Sequence, residues 1–164
     1  DLLDMCHSAA FEVERAVKET AKVVEKQRHD VILLETCLTG AVLNLTEKEN
    51  ELGLPPGQAA VNINKGLGKI VSKLLSNELE NIRGIYMTGG DTMVNVLEVL
   101  GAKGIELLDY VIPQADLGRI IGGKYDGLLV VGKGGLTGSS DTAIKIVKRI
   151  MKESARQDSG CIHA

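Results

Sequence analysis

An apolar run, a glycine turn and an amphipathic segment follow one another directly in the stretch Ile85–Val94, and this order constrains the fold more than any other feature. It predicts a strand, a tight turn and a helix. Paired glycines let the backbone adopt positive φ and approach a ligand closely, while the start of a helix directs N–H groups and a positive dipole end at the turn. The stretch therefore favours a phosphate-binding corner, with two interpretations left open: a true ligand site, or a bend that Asp91 merely caps. The predicted corner consists of Gly89, Gly90, Asp91 and Thr92.

A second glycine-rich corner occupies Val131–Asp141, again after a predicted strand and before a predicted helix. Gly135 and Gly138 would expose backbone N–H groups, and Lys133 would bring a positive charge to a phosphate. If both corners lie at the same edge of the sheet, they can hold one nucleotide between them. The alternative is a flexible connection with a solvated lysine.

Hydrophobic periodicity predicts the remaining elements. Helices are expected at about residues 2–26, 59–76, 92–100 and 142–151. Strands are expected at about residues 31–34, 85–88, 105–112 and 128–131. Residues 38–58 are predicted to form a long mobile loop, and the tail from Glu153 is predicted to fray. The glycines at 122–127 predict a β-hairpin between residues 117–121 and 128–131. We therefore expect an α/β fold, a three-layer α/β/α domain with a mixed, mostly parallel sheet.

Length and composition indicate one globular domain spanning residues 1–164, with 44% hydrophobic and 25% charged residues. The formal charge of −3 gives no support to binding of nucleic acid or anionic membranes. No apolar run reaches the roughly 20 residues of a membrane span, and the first residues are acidic, so a cytoplasmic location is expected. Cys6, Cys37 and Cys161 lack metal-ligand spacing and are interpreted as reduced thiols, so no metal site is predicted.

The glycine corners also carry a resemblance to a known family. The relevant segments are Thr88–Thr92, Leu100–Gly101, Ile112–Pro113, Leu117–Gly118, Ile121–Gly123, Gly127–Leu128 and Val131–Gly135. Their order is similar to that in the C-terminal nucleotide-binding domain of the four-carbon acid sugar kinases. The similarity is clearest over about residues 85–150.

This resemblance implies an ATP-dependent kinase that phosphorylates a hydroxyl of a small sugar acid, such as a threonate or erythronate, with Mg²⁺ accompanying the nucleotide. It assigns Gly89, Gly90, Asp91 and Thr92 to the first nucleotide loop, and Lys133, Gly135 and Gly138 to the second. The family also has an N-terminal acid-binding domain, so we expect the chain to be a fragment that binds nucleotide but hardly turns over. The catalytic base would lie on that other domain. The expected partners are a nucleotide, a sugar acid bound through the missing domain, and a second copy in a homodimer.

Two departures from the family pattern leave an alternative open. The family usually has Lys-Ser-Gly-Gly-Phe-Gly where this chain has Lys133–Gly138, and Pro-Gly-Val-Pro where this chain has Pro113–Asp116. Asp91 would either help to hold magnesium or cap its helix, and the cap is favoured. The alternative function is a non-catalytic module that senses a nucleotide or binds a partner subunit through the same corners.

Overall fold

The computed structural model describes residues 7–26, 29–36, 42–76, 82–135 and 137–160. The chain divides into two compact units, Asp1–Leu79 and Glu80–Ala164. The first unit contains the helices α1 (His7–Lys26), α2 (Leu45–Leu52) and α3 (Gln58–Ser76). The second contains β1 (Gly84–Thr88), α4 (Gly90–Val99), β2 (Gly104–Ile112), β3 (Ala115–Ile121), β4 (Leu129–Lys133) and α5 (Thr142–Gly160).

The first unit is held by the apolar stripes of α1 and α3, which pack against each other. Val13 and Val17 are buried on α1, as are Ile70 and Leu74 on α3, at the three- and four-residue spacing of one helix face. The buried carboxylate of Glu49 on α2 accepts a hydrogen bond from a backbone N–H in the first turn of α3 at 2.9 Å. A side-chain oxygen thereby satisfies an N–H that the helix itself leaves without a partner.

Two sequence predictions in the first unit are wrong. The segment Val31–Leu34 is not a strand: it has no regular structure, and Leu33 is 74% exposed. Part of the predicted long loop is the helix α2, which Asn44 caps through the Glu47 N–H and which ends at Gly53 with φ 65°. The sequence did not predict α2 because the helix has only two turns and mostly polar residues, so it shows no apolar period.

The second unit is built on a four-stranded sheet with the order β1-β4-β3-β2. Strands β1 and β4 are parallel, whereas β4 and β3, and β3 and β2, are antiparallel. The predicted mixed sheet and the predicted hairpin of β3 and β4 are confirmed. The expectation of a mostly parallel sheet is wrong, because Pro113 and Gln114 form a tight turn that pairs β2 with β3 as well.

The helices α4 and α5 lie on opposite faces of this sheet, which gives the predicted three layers. A side chain at Gly84 would collide with Ile150 of α5, and one at Gly132 would collide with Met93 of α4. Gly84 pairs with Leu129, three residues before Gly132, and residues an odd number apart on a strand point to opposite faces. The hydrophobic core lies on the α5 side and contains Ala115, Leu117, Leu129, Val131, Ile146 and Ile150.

The end of α4 follows the sequence prediction, whereas the end of α5 does not. Gly101 has φ 71° and donates its N–H to the Glu98 carbonyl, while the Ala102 N–H reaches the Leu97 carbonyl, as in a Schellman motif. Helix α5 continues to Gly160, so the predicted fraying from Glu153 is wrong up to that residue, and residues 161–164 lie outside the described residues. In the described part of the chain, no helix is long and apolar enough to cross a membrane. All three cysteines lie outside the described residues.

Candidate functional site

The two glycine corners meet at the carboxyl ends of β1 and β4. These strands are parallel neighbours, and their last residues, Thr88 and Lys133, are paired in register. The Gly89 N–H donates a hydrogen bond to the Lys133 carbonyl oxygen at 3.0 Å, which joins the two corners directly. The prediction that both corners lie at one edge of the sheet is therefore confirmed. This edge is where open α/β sheets bind their ligands.

The first corner positions the beginning of α4. Gly89 is the N-cap residue, with φ 96°, and its carbonyl oxygen accepts the Met93 N–H at 3.0 Å. The favoured interpretation of Asp91 as the cap is wrong, since the helix already begins at Gly90 and Asp91 lies in its first turn. A carboxylate there still favours the helix through the macrodipole. No side chain caps the helix, so this end is shaped by the backbone.

The second corner is folded around Lys133. Lys133 is only 8% exposed, and its ammonium group donates a hydrogen bond to the Gly135 carbonyl oxygen at 2.8 Å. Gly135 and Gly138 have φ values of 66° and 113°, a backbone conformation that residues with a side chain rarely adopt. Gly138 also lies against the hydroxyl of Thr142, which accepts the Ser139 N–H at 2.9 Å. Gly135 and Gly138 are therefore required by the backbone shape of this corner.

Between the corners lies a cleft of about 370 Å³. Its lining residues are Gly89, Gly90, Met93, Gln114, Asp116, Gly132, Lys133, Gly134 and Gly135. Four of the seven predicted site residues are thus brought together: Gly89, Gly90, Lys133 and Gly135. The other three, Asp91, Thr92 and Gly138, are not among the lining residues. A Cβ atom on Gly89 would lie 3.3 Å from the Thr92 hydroxyl oxygen, and one on Gly138 would lie 2.5 Å from that of Thr142.

Sequence reasoning missed three lining side chains, those of Met93, Gln114 and Asp116. The Met93 side chain lies against Gly132, and a Cβ atom on residue 132 would collide with the Met93 sulfur atom. Gln114 and Asp116 reach the cleft because the β2–β3 turn brings them beside β4, and Asp116 pairs in register with Gly132. The signal that could have found them is the departure from the family pattern at Pro113–Asp116, together with the tight turn that Pro113 favours.

The charges at the cleft are one buried cation and one exposed anion. Lys133 is fixed against its own loop, whereas the Asp116 carboxylate is solvent-exposed. At the far end of the second corner, hydrogen bonds from the Ser139 hydroxyl and from Lys145 hold the pKa of Asp141 below its ordinary value. Asp141 thus stays ionised at the start of α5, where a negative charge is favourable.

Comparison with known proteins decides the family. Residues 1–143 match the model of the nucleotide-binding C-terminal domain. The chain belongs to this family. The resemblance to the C-terminal domain of the four-carbon acid sugar kinases is confirmed. Within the described residues, the cleft is lined by residues of both glycine corners.

The curated relatives are kinases whose chains are longer than this one. The D-erythronate kinase of Heliobacterium modesticaldum is 32% identical over 149 residues, which are 90% of this chain and 34% of that protein. The D-threonate kinase of Bordetella bronchiseptica is 35% identical over 94 residues, 57% of this chain and 23% of that protein. The chain therefore spans about a third or less of the relatives that it matches.

Two crystal structures of a domain of unknown function from Bordetella bronchiseptica are similar in fold. They superpose with TM-scores of 0.52 and 0.54 at 26% and 27% identity, and cover 83% and 82% of this chain. The chain covers 36% and 38% of theirs. Both of those structures are described as domain-swapped dimers with bound citrate.

Proposed function

We propose that this chain is the ATP-binding part of a kinase that phosphorylates a hydroxyl group of a four-carbon sugar acid. The observation that carries the proposal is the junction of the two glycine corners through the Gly89–Lys133 hydrogen bond, beside a cleft at the carboxyl edge of the sheet. In the proposed site, Gly89, Gly90, Asp91 and Thr92 form the first nucleotide loop. Lys133, Gly135 and Gly138 form the second.

The chemistry of phosphoryl transfer fits these residues. Such transfer depends mainly on positioning and on neutralising the charge of the phosphates. In this chain, backbone N–H groups at the start of α4 and of the second corner would hold phosphate oxygens. Lys133 would supply the positive charge, because its ammonium group has three N–H donors and can hold the Gly135 carbonyl and a phosphate oxygen at the same time.

Magnesium is proposed to enter with the nucleotide. Mg²⁺ prefers oxygen ligands, and it often uses one or two carboxylates together with phosphate oxygens and water. Asp116 is the carboxylate among the lining residues of the described cleft, so it is the group that would face the metal. The bound ion would neutralise charge on the phosphates. Asp91, which does not line the cleft, would act only through the field at the start of α4.

The acceptor is inferred from the relatives. The curated relatives are a D-erythronate kinase and two D-threonate kinases, and both acids have four carbons. The acid-binding groups and the catalytic base are proposed to lie in the part of the relatives that this chain does not span. We therefore expect the chain alone to bind ATP and to transfer little phosphate. A homodimer is proposed as well, because the similar solved structures are dimers.

The altered second loop leaves a second candidate function, that of a nucleotide-sensing module. Measurements of ATP binding and of ADP release distinguish such a module from a kinase. A chimera would carry this chain in place of the matching part of the D-erythronate kinase of Heliobacterium modesticaldum. Release of ADP that depends on D-erythronate or D-threonate would support the kinase. A folded chimera that binds ATP without turnover would support the module.

Nucleotide binding is tested by titrating the chain with ATP and Mg²⁺ in a calorimeter. The variant Gly134→Val should block the cleft without backbone strain, because Gly134 has an ordinary φ and a Cβ atom there would meet no other atom within 4 Å. We expect its affinity for ATP to fall at least tenfold. Lys133→Ala should also weaken binding, because the loop loses its cation.

The matched control is Gly104→Val, the same change at another residue of ordinary φ. Gly104 lies at the start of β2, at the opposite end of the sheet from the cleft, and its Cβ atom would make only an ordinary contact with Ile121. This variant should bind ATP as the unmodified chain does. Absence of binding by the unmodified, folded chain would contradict the proposal, as would unchanged affinity in Gly134→Val.

A further inference from the structure

Gln114 has a backbone conformation that its residue type disfavours. Among the described residues it is the one non-glycine with positive φ, at 64°. It follows Pro113 in the turn between β2 and β3, and the second central position of such a turn usually carries glycine. The four-carbon acid sugar kinases usually have glycine after the corresponding proline. Strain at one residue persists only when its surroundings fix it, and it often accompanies function.

The contacts of Gln114 explain what its side chain adds. Its carbonyl oxygen accepts the Gly134 N–H at 3.1 Å, a bond that any residue could make. Its side-chain oxygen accepts the Thr137 hydroxyl at 2.9 Å, which a glycine could not do. That oxygen would also lie 3.1 Å from a Cβ atom on Gly135. Gln114 is therefore hydrogen-bonded to the second corner at Gly134 and Thr137, and its side chain lies close to Gly135.

These contacts lead to the cation of the cleft. The carbonyl oxygen of Gly135 holds the Lys133 ammonium group at 2.8 Å, and Gln114, Lys133 and Gly135 all line the cleft. A side chain that fixes Gly135 and Thr137 also fixes where the Lys133 charge and the neighbouring N–H groups lie. Preorganised groups bind better, since less ordering remains to be done when the ligand arrives.

We propose that Gln114 is a positioning residue for the nucleotide: its side chain holds the second corner, through Thr137, in the shape that receives the phosphates. This inference rests on the proposed function. The glycine usual in the family would relieve the backbone but could not reach Thr137.

The test compares Gln114→Gly, Thr137→Val and the double variant. Gln114→Gly should leave the melting temperature unchanged or higher, because it relieves a positive φ. It should nevertheless weaken ATP binding roughly three- to tenfold, the effect expected from losing one hydrogen bond. Thr137→Val removes the same bond from its other end, so it should weaken binding by a similar factor. The double variant should bind no more weakly than either single variant.

A second readout does not need the nucleotide. Hydrogen exchange at the amides of Gly134 and Ser139, whose N–H groups are hydrogen-bonded in the second corner, should be faster in both single variants than in the unmodified chain. Unchanged ATP affinity in Gln114→Gly with unchanged exchange would overturn the inference, as would losses that add in the double variant. If the unmodified chain bound no ATP, the proposed function would fail, and the exchange comparison would still decide whether Gln114 holds the corner.

Discussion

At the scale of the residue, the glycines of the first corner differ in what they do. Gly89 has φ 96°, and a Cβ atom on it would lie 3.3 Å from the Thr92 hydroxyl. Gly90 is already helical, and a Cβ atom on it would meet no other atom within 4 Å. Backbone conformation therefore demands glycine at 89 but not at 90. The sequence motif presents the two as an equivalent pair.

The substitution of each glycine by alanine tests this difference. Gly89→Ala should lower the free energy of unfolding by about 1–2 kcal/mol, because alanine must adopt a positive φ. Gly90→Ala should change it by less than about 0.5 kcal/mol or raise it slightly, since alanine suits a helix better than glycine. Urea denaturation followed by circular dichroism measures both values. Equal losses in the two variants would contradict the conformation described for Gly89.

Single residues also show which parts of the site could be predicted from the sequence and which could not. The spacing of the glycines located four residues of the cleft, because glycine pairs after a strand report on backbone shape. The assignment of Asp91 as the cap is wrong, because the helix begins at Gly90, two residues before the start that a cap at Asp91 implies, and the motif alone does not fix that start. Gln114 and Asp116 are marked in the sequence only by their departure from the family pattern. They enter the site only through the pairing of β2 with β3, which is a long-range property.

At the scale of the element, one arginine links α5 to strand β2. Arg149 pairs with Glu153 on its own helix at 2.6 Å and with Asp109 of β2 at 3.0 Å. Its hydrogen bonds hold the pKa values of Glu153 and Asp109 below their ordinary values. Carboxylates with lowered pKa stabilise the fold above their unfolded-state pKa, and this contribution is lost as the pH falls through the folded-state pKa.

The variant Arg149→Met should therefore remove a stabilisation that depends on pH. At pH 7 the i,i+4 pair with Glu153 contributes about 0.5 kcal/mol, so the variant should be less stable by about that amount. The difference should shrink as the pH falls below about 4.5, where the carboxylates become protonated. Thermal unfolding between pH 3 and pH 7 measures it. Lys152→Met, an exposed change of the same charge on the same helix, serves as the control, and a deficit independent of pH would refute the pairing.

Elements with a strong period or clear end signals were predicted well. The helix α3, the strands β1 and β2, and the glycine end of α4 all follow from apolar spacing and turn residues. The short helix α2 was missed because its faces are mostly polar. The run at residues 31–34 was overinterpreted, because four apolar residues in a row do not distinguish a buried strand from an exposed segment.

At the scale of the whole molecule, the candidate site belongs to the second unit. Every lining residue lies between Gly89 and Gly135, and the cleft is assembled from the ends of β1 and β4, the start of α4 and the β2–β3 turn. The parallel pair of strands supplies the junction of the two corners, and the hairpin supplies the remaining wall. The family match extends over residues 1–143, so it includes the helices of the first unit as well.

The central claim is that the two glycine corners form one nucleotide site. The most direct measurement records amide NMR spectra of the isotope-labelled chain while ADP or ATP is added with Mg²⁺. The account predicts that signals from residues 89–93 and 133–138 shift together, with one common dissociation constant, and that those of residues 104–107, at the opposite end of the sheet, change little. Shifts confined to one corner, or different dissociation constants for the two, would contradict it.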